Sequence, residues 1–328
     1  MNNNIDNATL KEEKRAEFKE WFEFQKKELV KNINIVKQLV LRSIKVQYRN
    51  SVIGVFWTIL NPLLNMLVMY LVFSSMFAGR GTTQIEQATY PLHLLCGNIV
   101  FGMMRNATVQ SLPSIVQNRG LLTKNKMSYN VFPLSYALSA VVNFGFSFIA
   151  LLGVMLVVWI QGQAVFSLNI FLVFVGLPAL FLFCYGLSLI LSAMYTFFRD
   201  ISHFYNVFLT LWMYLTPIFY TINMFEGAGP AGAMMKTVIR LNPMYYYVEY
   251  FRDVVYRCSA HAYALENMEA TEQLSMVATN TQEYLSMVEA ATLPGFGETA
   301  TIYLIGLVTL LVGAIVFMGT KRKFIYNI

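Results

Sequence analysis

The sequence has little charge and few of the side chains that build a catalytic centre. Asp, Glu, Lys and Arg together make up 13% of its 328 residues, whereas apolar residues make up 56%, and the mean hydropathy is +0.51. Such a composition is typical of a protein that crosses a membrane several times and not of a soluble domain. We therefore predict an all-α, integral membrane fold.

The scarcity of reactive side chains excludes several classes of function. The three cysteines form no CxxC pair and the three histidines are scattered, so neither a zinc site nor a catalytic triad is expected. There is no GxxxxGK[ST] loop, so the chain cannot cradle ATP phosphates by itself. We expect no metal, cofactor or catalytic residue in this chain. A membrane-embedded glycosyl- or acyltransferase is the least favoured alternative, because it needs His, Asp or Glu clustered at one membrane face.

Six apolar segments are candidates for transmembrane helices. They cover residues 52–77, 92–116, 134–160, 168–198, 204–222 and 301–318. With the N-terminus inside, 18 Lys and Arg residues fall on the cytoplasmic side and 5 on the outer side. Both termini are therefore predicted to be cytoplasmic.

Residues 1–50 form a charged cytoplasmic segment before the transmembrane domain, which we assign to residues 51–328. The segment has no apolar leader, so we expect no cleavable signal peptide. Two amphipathic helices are predicted within it, and the second has an apolar stripe and a basic stripe, the latter formed by Arg42, Lys45 and Arg49. Such a helix is typical of the headgroup layer, and packing on a partner helix is the alternative.

The stretch after the fifth span is broken. Two helical pieces, 231–241 and 244–256, are separated by Asn242-Pro243, and neither is long enough to cross a bilayer. We predict that they dip into the membrane from outside as re-entrant half-helices, with Glu249 and Arg252 paired at i and i+3. Residues 258–298 then form an extracellular insert with six Glu and no Lys or Arg, which is either a cap or a flexible linker.

Aromatic side chains recur at helical spacing on two spans. Such stripes suit the apolar faces of sugar rings, but ordinary helix packing also produces them. Those on the first span are Tyr70, Phe73 and Phe77, and those on the fifth are Tyr205, Phe208, Trp212 and Phe219.

Polar residues within the spans leave two interpretations open. Arg105 lies near the middle of the second span, where it either attracts an anionic substrate or is a structural cation satisfied by neighbouring carbonyls or by snorkelling. Asn61 and Asn65 favour hydrogen bonds between two helices over substrate contact. On the cytoplasmic side, residues 117–133 and the turn 198–200 have the character of contact surfaces.

Four stretches together resemble the membrane subunit of ABC transporters that export bacterial polysaccharides, namely O-antigen, capsule and wall teichoic acid. They are QYRNSVIGVFWTILNPLLNMLVMYLVFSSMF (47–77), NRGLLTKNKMSYNVFPLS (118–135), FRDISHFYNVFLTLWMYLTPIFY (198–220) and LNPMYYYVEYFRDVVY (241–256). The resemblance covers most of residues 30–257 and the last span. It departs from the family pattern in the length of the 258–298 insert.

The resemblance implies a permease in the bacterial cytoplasmic membrane, acting as a homodimer with two copies of a separate ATPase that binds ATP and Mg²⁺. The substrate would be an undecaprenyl-diphosphate-linked polymer, moved through an aromatic-lined channel. An exporter of drugs or small lipids is the alternative.

The resemblance also assigns roles to individual residues. Coupling to the ATPase falls to residues in 118–127 and at the turn after the fourth span, which are Arg119, Lys124, Asn125, Lys126, Arg199 and Asp200. The pyrophosphate would meet Arg42, Lys45 and Arg49 at the cytoplasmic lip. The outer gate would comprise Tyr245, Tyr246, Tyr247, Glu249 and Arg252, with the tyrosines facing either the polymer or the headgroups.

Overall fold

The computed structural model describes residues 32–47, 54, 56–77, 87–124, 127–163, 165–225, 229–267 and 281–324. This part of the chain is almost entirely helical and contains no β-strand, which confirms the all-α prediction. Its helices are α1 (32–47), α2 (Phe56–Phe77), α3 (Tyr90–Ser111), α4 (Ser114–Gln117), α5 (Arg119–Lys124), α6 (Val131–Ile160), α7 (Val173–Phe197), α8 (Ile201–Leu215), α9 (Gly229–Leu241), α10 (Pro243–Arg252), α11 (Cys258–Asn267), α12 (Thr281–Ala291) and α13 (Phe296–Thr320).

Four segments of the described chain are long and apolar enough to cross a bilayer. They are α2, α6, α7 with the 3₁₀ turn before it (Leu168–Leu172), and α13. The other two predicted spans are also helices, but α3 contains Arg105 and several amides, and α8 has only 15 residues. Fifteen residues extend about 22 Å, less than the roughly 30 Å of a hydrocarbon core. The protein is thus an integral membrane protein, and the count of six spans stays a prediction.

The helix α3 lies at the centre of the bundle, which explains why it is the least apolar predicted span. It packs against α2, α6, α7 and α10, and most of its side chains are buried. A helix that is mostly covered by protein does not need the apolar exterior that lipid demands. Polar residues such as Thr108 are therefore tolerated there, with the Thr108 hydroxyl donating to the carbonyl oxygen of Met104 at 2.8 Å.

The closest helix pair is α7 with α13, and small residues make this approach possible. A Cβ atom added to Gly186 would lie 2.6 Å from the carbonyl oxygen of Thr309, and one added to Gly313 would collide with the carbonyl oxygen of Gly186. One added to Gly306 would lie 2.8 Å from the carbonyl oxygen of Ala179. Backbones in contact at this distance gain van der Waals packing that larger side chains would prevent.

The two predicted half-helices are present as α9 and α10, on either side of Asn242. The break has a local cause: the Asn242 side chain accepts a hydrogen bond from the Met244 amide at 3.0 Å, and Pro243 occupies the first position of α10. Both are preferred N-terminal features of helices. The prediction that the second piece ends at Tyr256 is wrong, because α10 continues through a π-helical turn (Asp253–Arg257) directly into α11.

The insert is also more structured than a flexible linker in the parts that the structure describes. Its helices α11 and α12 pack on each other, and the Cys258 thiol donates to the carbonyl oxygen of Thr292 at 2.8 Å. The Ser259 hydroxyl donates to the carbonyl oxygen of Val165 at 3.1 Å, which joins α11 to the segment before α7. Polar composition alone did not predict these contacts, because they depend on segments about 30 and 90 residues away in sequence.

The second predicted amphipathic helix, which carries the basic stripe, is present as α1, and the first lies outside the described residues. The hydroxyls of Ser43 and Ser139 are 2.6 Å apart, and the Asn143 amide donates to Gln47 Oε1 at 3.3 Å. These contacts are four residues apart on both helices, so α1 runs alongside the first half of α6 in the same direction. The alternative of a partner helix is therefore partly correct, with α6 of the same chain as the partner.

Candidate functional site

The helix α8 buries only a narrow stripe, which consists of Tyr205, Leu209 and Trp212. The rest of its surface is open and mixes two kinds of side chain. Apolar and aromatic residues such as Phe208 (50% exposed) alternate with exposed polar residues such as Asn206. The Asn206 amide donates to the Ser202 carbonyl oxygen at 2.8 Å, so its polar group is already partly satisfied within the helix.

The neighbouring helix α3 exposes Arg105 and Asn106, although most of its other side chains are buried. The Arg105 guanidinium makes no hydrogen bond or ion pair with any residue that the structure describes. Arg105 follows Phe101 by four residues, and Phe101 packs edge-on to Trp212 of α8 with ring centroids 6.5 Å apart. The helices α3 and α8 are therefore neighbours at this level, and Arg105 lies one helical turn along α3 from their contact.

This arrangement argues against one form of the structural interpretation of Arg105, hydrogen bonding to neighbouring carbonyls. The structure shows no hydrogen bond from the Arg105 guanidinium to a carbonyl oxygen of the described chain. A guanidinium without a partner in the described chain would be costly against lipid tails. An exposed arginine at the predicted middle of a span therefore favours a face that meets water, a second protein surface or a charged ligand.

The predicted aromatic stripes do not form one open surface in this chain. Tyr205, Trp212 and Phe219 are buried, whereas Tyr70 and Phe208 are exposed and the side chain of Phe77 lies outside the described residues. The structure brings Phe73 of α2 onto Phe219, with stacked ring centroids 5.4 Å apart. It also brings Tyr70 to 6.3 Å from Tyr90. Through these contacts, the predicted outer end of α2 packs against the loop after α8 and against the start of α3.

The indole of Trp212 is buried and forms a hydrogen bond, so it does not lie on an exposed surface. Its Nε1–H donates to Asn242 Oδ1 at 2.7 Å, and the Asn242 amide donates in turn to Thr216 Oγ1 at 2.9 Å and to the Leu215 carbonyl oxygen at 3.3 Å. The Thr216 hydroxyl donates back to the carbonyl oxygen of Trp212 at 2.8 Å. One asparagine thus joins the break after α8 to the break between α9 and α10.

The predicted pair of Glu249 with Arg252 is confirmed, at 2.9 Å, and belongs to a larger network. Glu249 also contacts Arg257 at 2.6 Å, and Arg257 contacts Asp253 at 2.8 Å. Arg252 is completely buried, and its Nη2 donates to the carbonyl oxygens of His93 and Ile218, each at 3.2 Å. The network contains two acids and two bases, so its formal charges cancel within the described chain.

The three consecutive tyrosines at the start of α10 have different surroundings. The prediction that they face either a substrate or the headgroups is wrong for Tyr247, which is buried and donates to the carbonyl oxygen of Ile302 at 2.8 Å. Tyr246 is half-buried and donates to the carbonyl oxygen of Arg240 at 2.9 Å. Tyr245 is half-buried against the Tyr246 ring, at a centroid distance of 5.3 Å. Only Tyr245 and Tyr246 therefore retain surface.

The predicted cytoplasmic contact residues fall into two separate places. Arg119 is exposed at the start of the short helix α5, and Leu122 of that helix packs against an apolar cluster that includes Ile115 and Phe317. Arg199 and Asp200 are exposed in the turn between α7 and α8. Asn125, Lys126 and the side chain of Lys124 lie outside the described residues.

A cleft of about 390 Å³ lies between α1, the end of α3, α4 and the start of α6. Exposed Arg42 lines it together with carboxamide side chains that include Gln110, Gln117 and Asn118. Exposed Lys45 is on the same helix but is not among the lining residues, and Arg49 lies outside the described residues. The cleft offers one cation and several hydrogen-bonding groups, a combination suited to a phosphate and its neighbouring hydroxyls.

The sequence is similar to known membrane transport proteins. The profile of the family described as ABC-2 type transporter matches residues 35–256. The chain belongs to this family.

The individual relatives share a modest level of identity. The O-antigen export system permease protein RfbA of Myxococcus xanthus is 29% identical over 220 residues, which is 66% of this chain and 78% of that protein. A protein of the same name from Klebsiella pneumoniae is 26% identical over 183 residues, covering 56% of this chain and 67% of that protein.

Proposed function

We propose that the chain is the permease subunit of an ATP-driven exporter of a lipid-linked polysaccharide in the bacterial cytoplasmic membrane. The observation that carries this proposal is that α3 and α8 are neighbouring helices with open surfaces. On α3 this surface holds Arg105, which has no partner among the described residues, and on α8 it holds exposed aromatic and amide side chains. Sugars offer apolar faces and hydroxyls to such a surface, and a diphosphate offers negative charge. Similarity to proteins named as O-antigen export permeases supports the same substrate class.

In this proposal, two copies of the chain place their α3 and α8 surfaces on either side of one path. A second copy would remove Arg105 from lipid and would supply the opposite wall. Of the residues in the two predicted aromatic stripes, Tyr70 and Phe208 are the ones whose described side chains are exposed and available to line the path. Tyr205, Trp212 and Phe219 are instead buried, and they hold the helices that line the path in place.

The remaining surfaces take the roles expected of such an exporter. A separate ATPase, in two copies, binds ATP and Mg²⁺ and docks on residues 118–127 and on the turn at Arg199 and Asp200. Leu122 packs α5 against the bundle. A displacement of α5 by the ATPase would therefore also displace the ends of α7 and α13. The lipid diphosphate would be received at the cytoplasmic cleft beside Arg42, with Lys45 and Arg49 adding positive charge nearby.

The direct test is to purify the chain from its native cells with any ATPase that copurifies and to measure ATP hydrolysis in lipid nanodiscs. We expect an undecaprenyl-diphosphate-linked glycan to stimulate hydrolysis and hydrophobic drugs to have no effect. Stimulation by drugs alone would favour an exporter of drugs or small lipids. Failure to copurify any ATPase would remove the transporter proposal.

Arg105 gives a sharper test of the path. We expect Arg105→Gln to reduce export of the lipid-linked glycan about tenfold, because loss of one charge-assisted contact corresponds to about 1.4 kcal/mol or more. Export is measured as polymer reaching the far side of proteoliposomes. The control is Lys321→Gln, which removes an exposed cation at the end of α13. Equal export by the two variants would contradict the role of Arg105.

A further inference from the structure

The segment from Thr216 to Arg252 contains two proline breaks, which are the usual places for a hinge. Thr216-Pro217 ends α8, and Asn242-Pro243 separates α9 from α10. Neither proline can donate the backbone hydrogen bond that would continue a helix. Movement of a gate by bending at one of these breaks is therefore the simple expectation.

The side chain of Asn242 removes the freedom expected at both breaks. Its oxygen accepts hydrogen bonds from the Met244 amide and the Trp212 indole, and its nitrogen donates to Thr216 Oγ1 and the Leu215 carbonyl oxygen. Asn242 is 7% exposed and Thr216 is fully buried. Bending at either break would break these bonds where water cannot replace them, and a buried polar group left unpaired is strongly unfavourable.

Arg252 holds the same region from the other side. Its guanidinium binds the carbonyl oxygen of Ile218, just after the first break, and the carbonyl oxygen of His93 near the predicted outer end of α3. Glu249 on the same helix supplies the balancing charge. Gly97 provides the space, because a Cβ atom there would lie 3.0 Å from Arg252 Nη2. Three elements that are distant in sequence are thus joined by one side chain.

The first half-helix is also joined to the second. Ile239 of α9 is fully buried, and the Tyr246 hydroxyl of α10 donates to the carbonyl oxygen of Arg240. The last turn of α9 therefore moves with α10, while the exposed residues of α9, such as Met234 (71% exposed), point away from the joined elements.

We propose that Asn242 and Arg252 are positioning residues that latch the end of α8, the α9–α10 pair and the predicted outer end of α3 into one rigid unit. The inference rests on the proposed function in one respect: during export the unit shifts as a whole relative to the second copy, and the gate does not bend at Asn242-Pro243.

Distances between spin labels test this directly in the complex with its ATPase in nanodiscs. Labels on the exposed positions Val207 of α8 and Met234 of α9, in subunits diluted with unlabelled ones, report the distance within one subunit. We expect it to change by less than about 2 Å between the nucleotide-free and ATP-trapped states, the usual limit of rigid-body behaviour. A single label at Met234 in undiluted dimers should show a larger shift. A larger change in the Val207–Met234 distance within one subunit would overturn the proposal. So would the absence of change both in that distance and in the Met234–Met234 distance between subunits.

Variants separate the latch from the export proposal, because they are read without substrate or nucleotide. Asn242→Ala should broaden the Val207–Met234 distance distribution, whereas Asn169→Ala, a half-buried asparagine before α7, should not. If Asn242→Ala does not fold, Trp212→Phe keeps the ring packing and removes one bond of the latch, and it should broaden the distribution less. Likewise, Arg252→Gln should broaden it and the exposed Arg240→Gln should not. An unchanged distribution in the folded latch variants refutes the latch even where glycan-stimulated ATP hydrolysis is normal.

Discussion

Replacing Glu249 by glutamine is expected to lower the free energy of unfolding by about 3–5 kcal/mol, the cost of breaking a buried ion pair from one side. Glu249 is the anion within bonding distance of Arg252, which is 0% exposed and otherwise bonds only carbonyl oxygens in the described chain. The variant keeps the shape of the side chain but leaves the guanidinium buried without a counter-charge. The loss of stability is measured by heating the purified protein and monitoring its unfolding by size-exclusion chromatography.

The matched control is Asp253→Asn, one helical turn away in the same network. Asp253 contacts Arg257, and Arg257 retains Glu249 at 2.6 Å when Asp253 is neutralised. No cation is then left alone, so we expect less than half the loss seen for Glu249→Gln. An equal or larger loss for Asp253→Asn would mean that the network is not centred on Arg252.

Replacing Gly313 by alanine is expected to destabilise the protein, the reverse of the usual effect of this change within a helix. Alanine normally favours a helix over glycine by about 0.5–1 kcal/mol. At Gly313, however, the new methyl group would collide with the carbonyl oxygen of Gly186, and a backbone atom of a packed helix cannot move aside as a side chain can. Overpacking costs about 1–3 kcal/mol, so the net change should be a clear loss.

Gly145 of α6 provides the comparison, because a Cβ atom there meets nothing within 4 Å. Gly145→Ala should leave the melting temperature unchanged or raised, while Gly313→Ala lowers it and Gly313→Leu prevents recovery of monodisperse protein. A Gly313→Ala variant as stable as Gly145→Ala would show that α7 and α13 are free to separate.

The positions of the helices could be predicted closely from the sequence, because length, apolarity and Pro or Gly breaks are local properties. The third span was predicted to begin at 134 and begins at Val131, and the predicted half-helices are α9 and α10. The pair Glu249–Arg252 was also predictable, since residues three apart on a helix are neighbours. The fifth span was predicted too long, because Thr216-Pro217 ends α8 at Leu215.

The surroundings of the aromatic residues could not be predicted in the same way. Trp212 and Phe208 are four residues apart on α8, yet the first is buried and bonded to Asn242 and the second is half exposed. Apolar side chains lie on both the buried and the exposed sides of α8, so hydropathy does not distinguish a side that meets lipid from one that meets protein. The sequence does contain one indication of the role of Asn242, because an asparagine just before a proline is typical of a helix N-cap. That pattern does not predict the hydrogen bonds of Asn242 to distant side chains.

By itself, the sequence determined that this protein is helical and membrane-embedded, where its helices break, and which transporter family it belongs to. Those properties follow from composition, from proline chemistry and from motifs that each lie within one segment. Only the tertiary structure decided that Arg105 is exposed, that Tyr247 is buried, and that Asn242 and Arg252 join both breaks to α3. These depend on contacts between residues up to 159 positions apart, as in the bond from Arg252 to His93, and no local pattern encodes which distant carbonyl a buried guanidinium will meet.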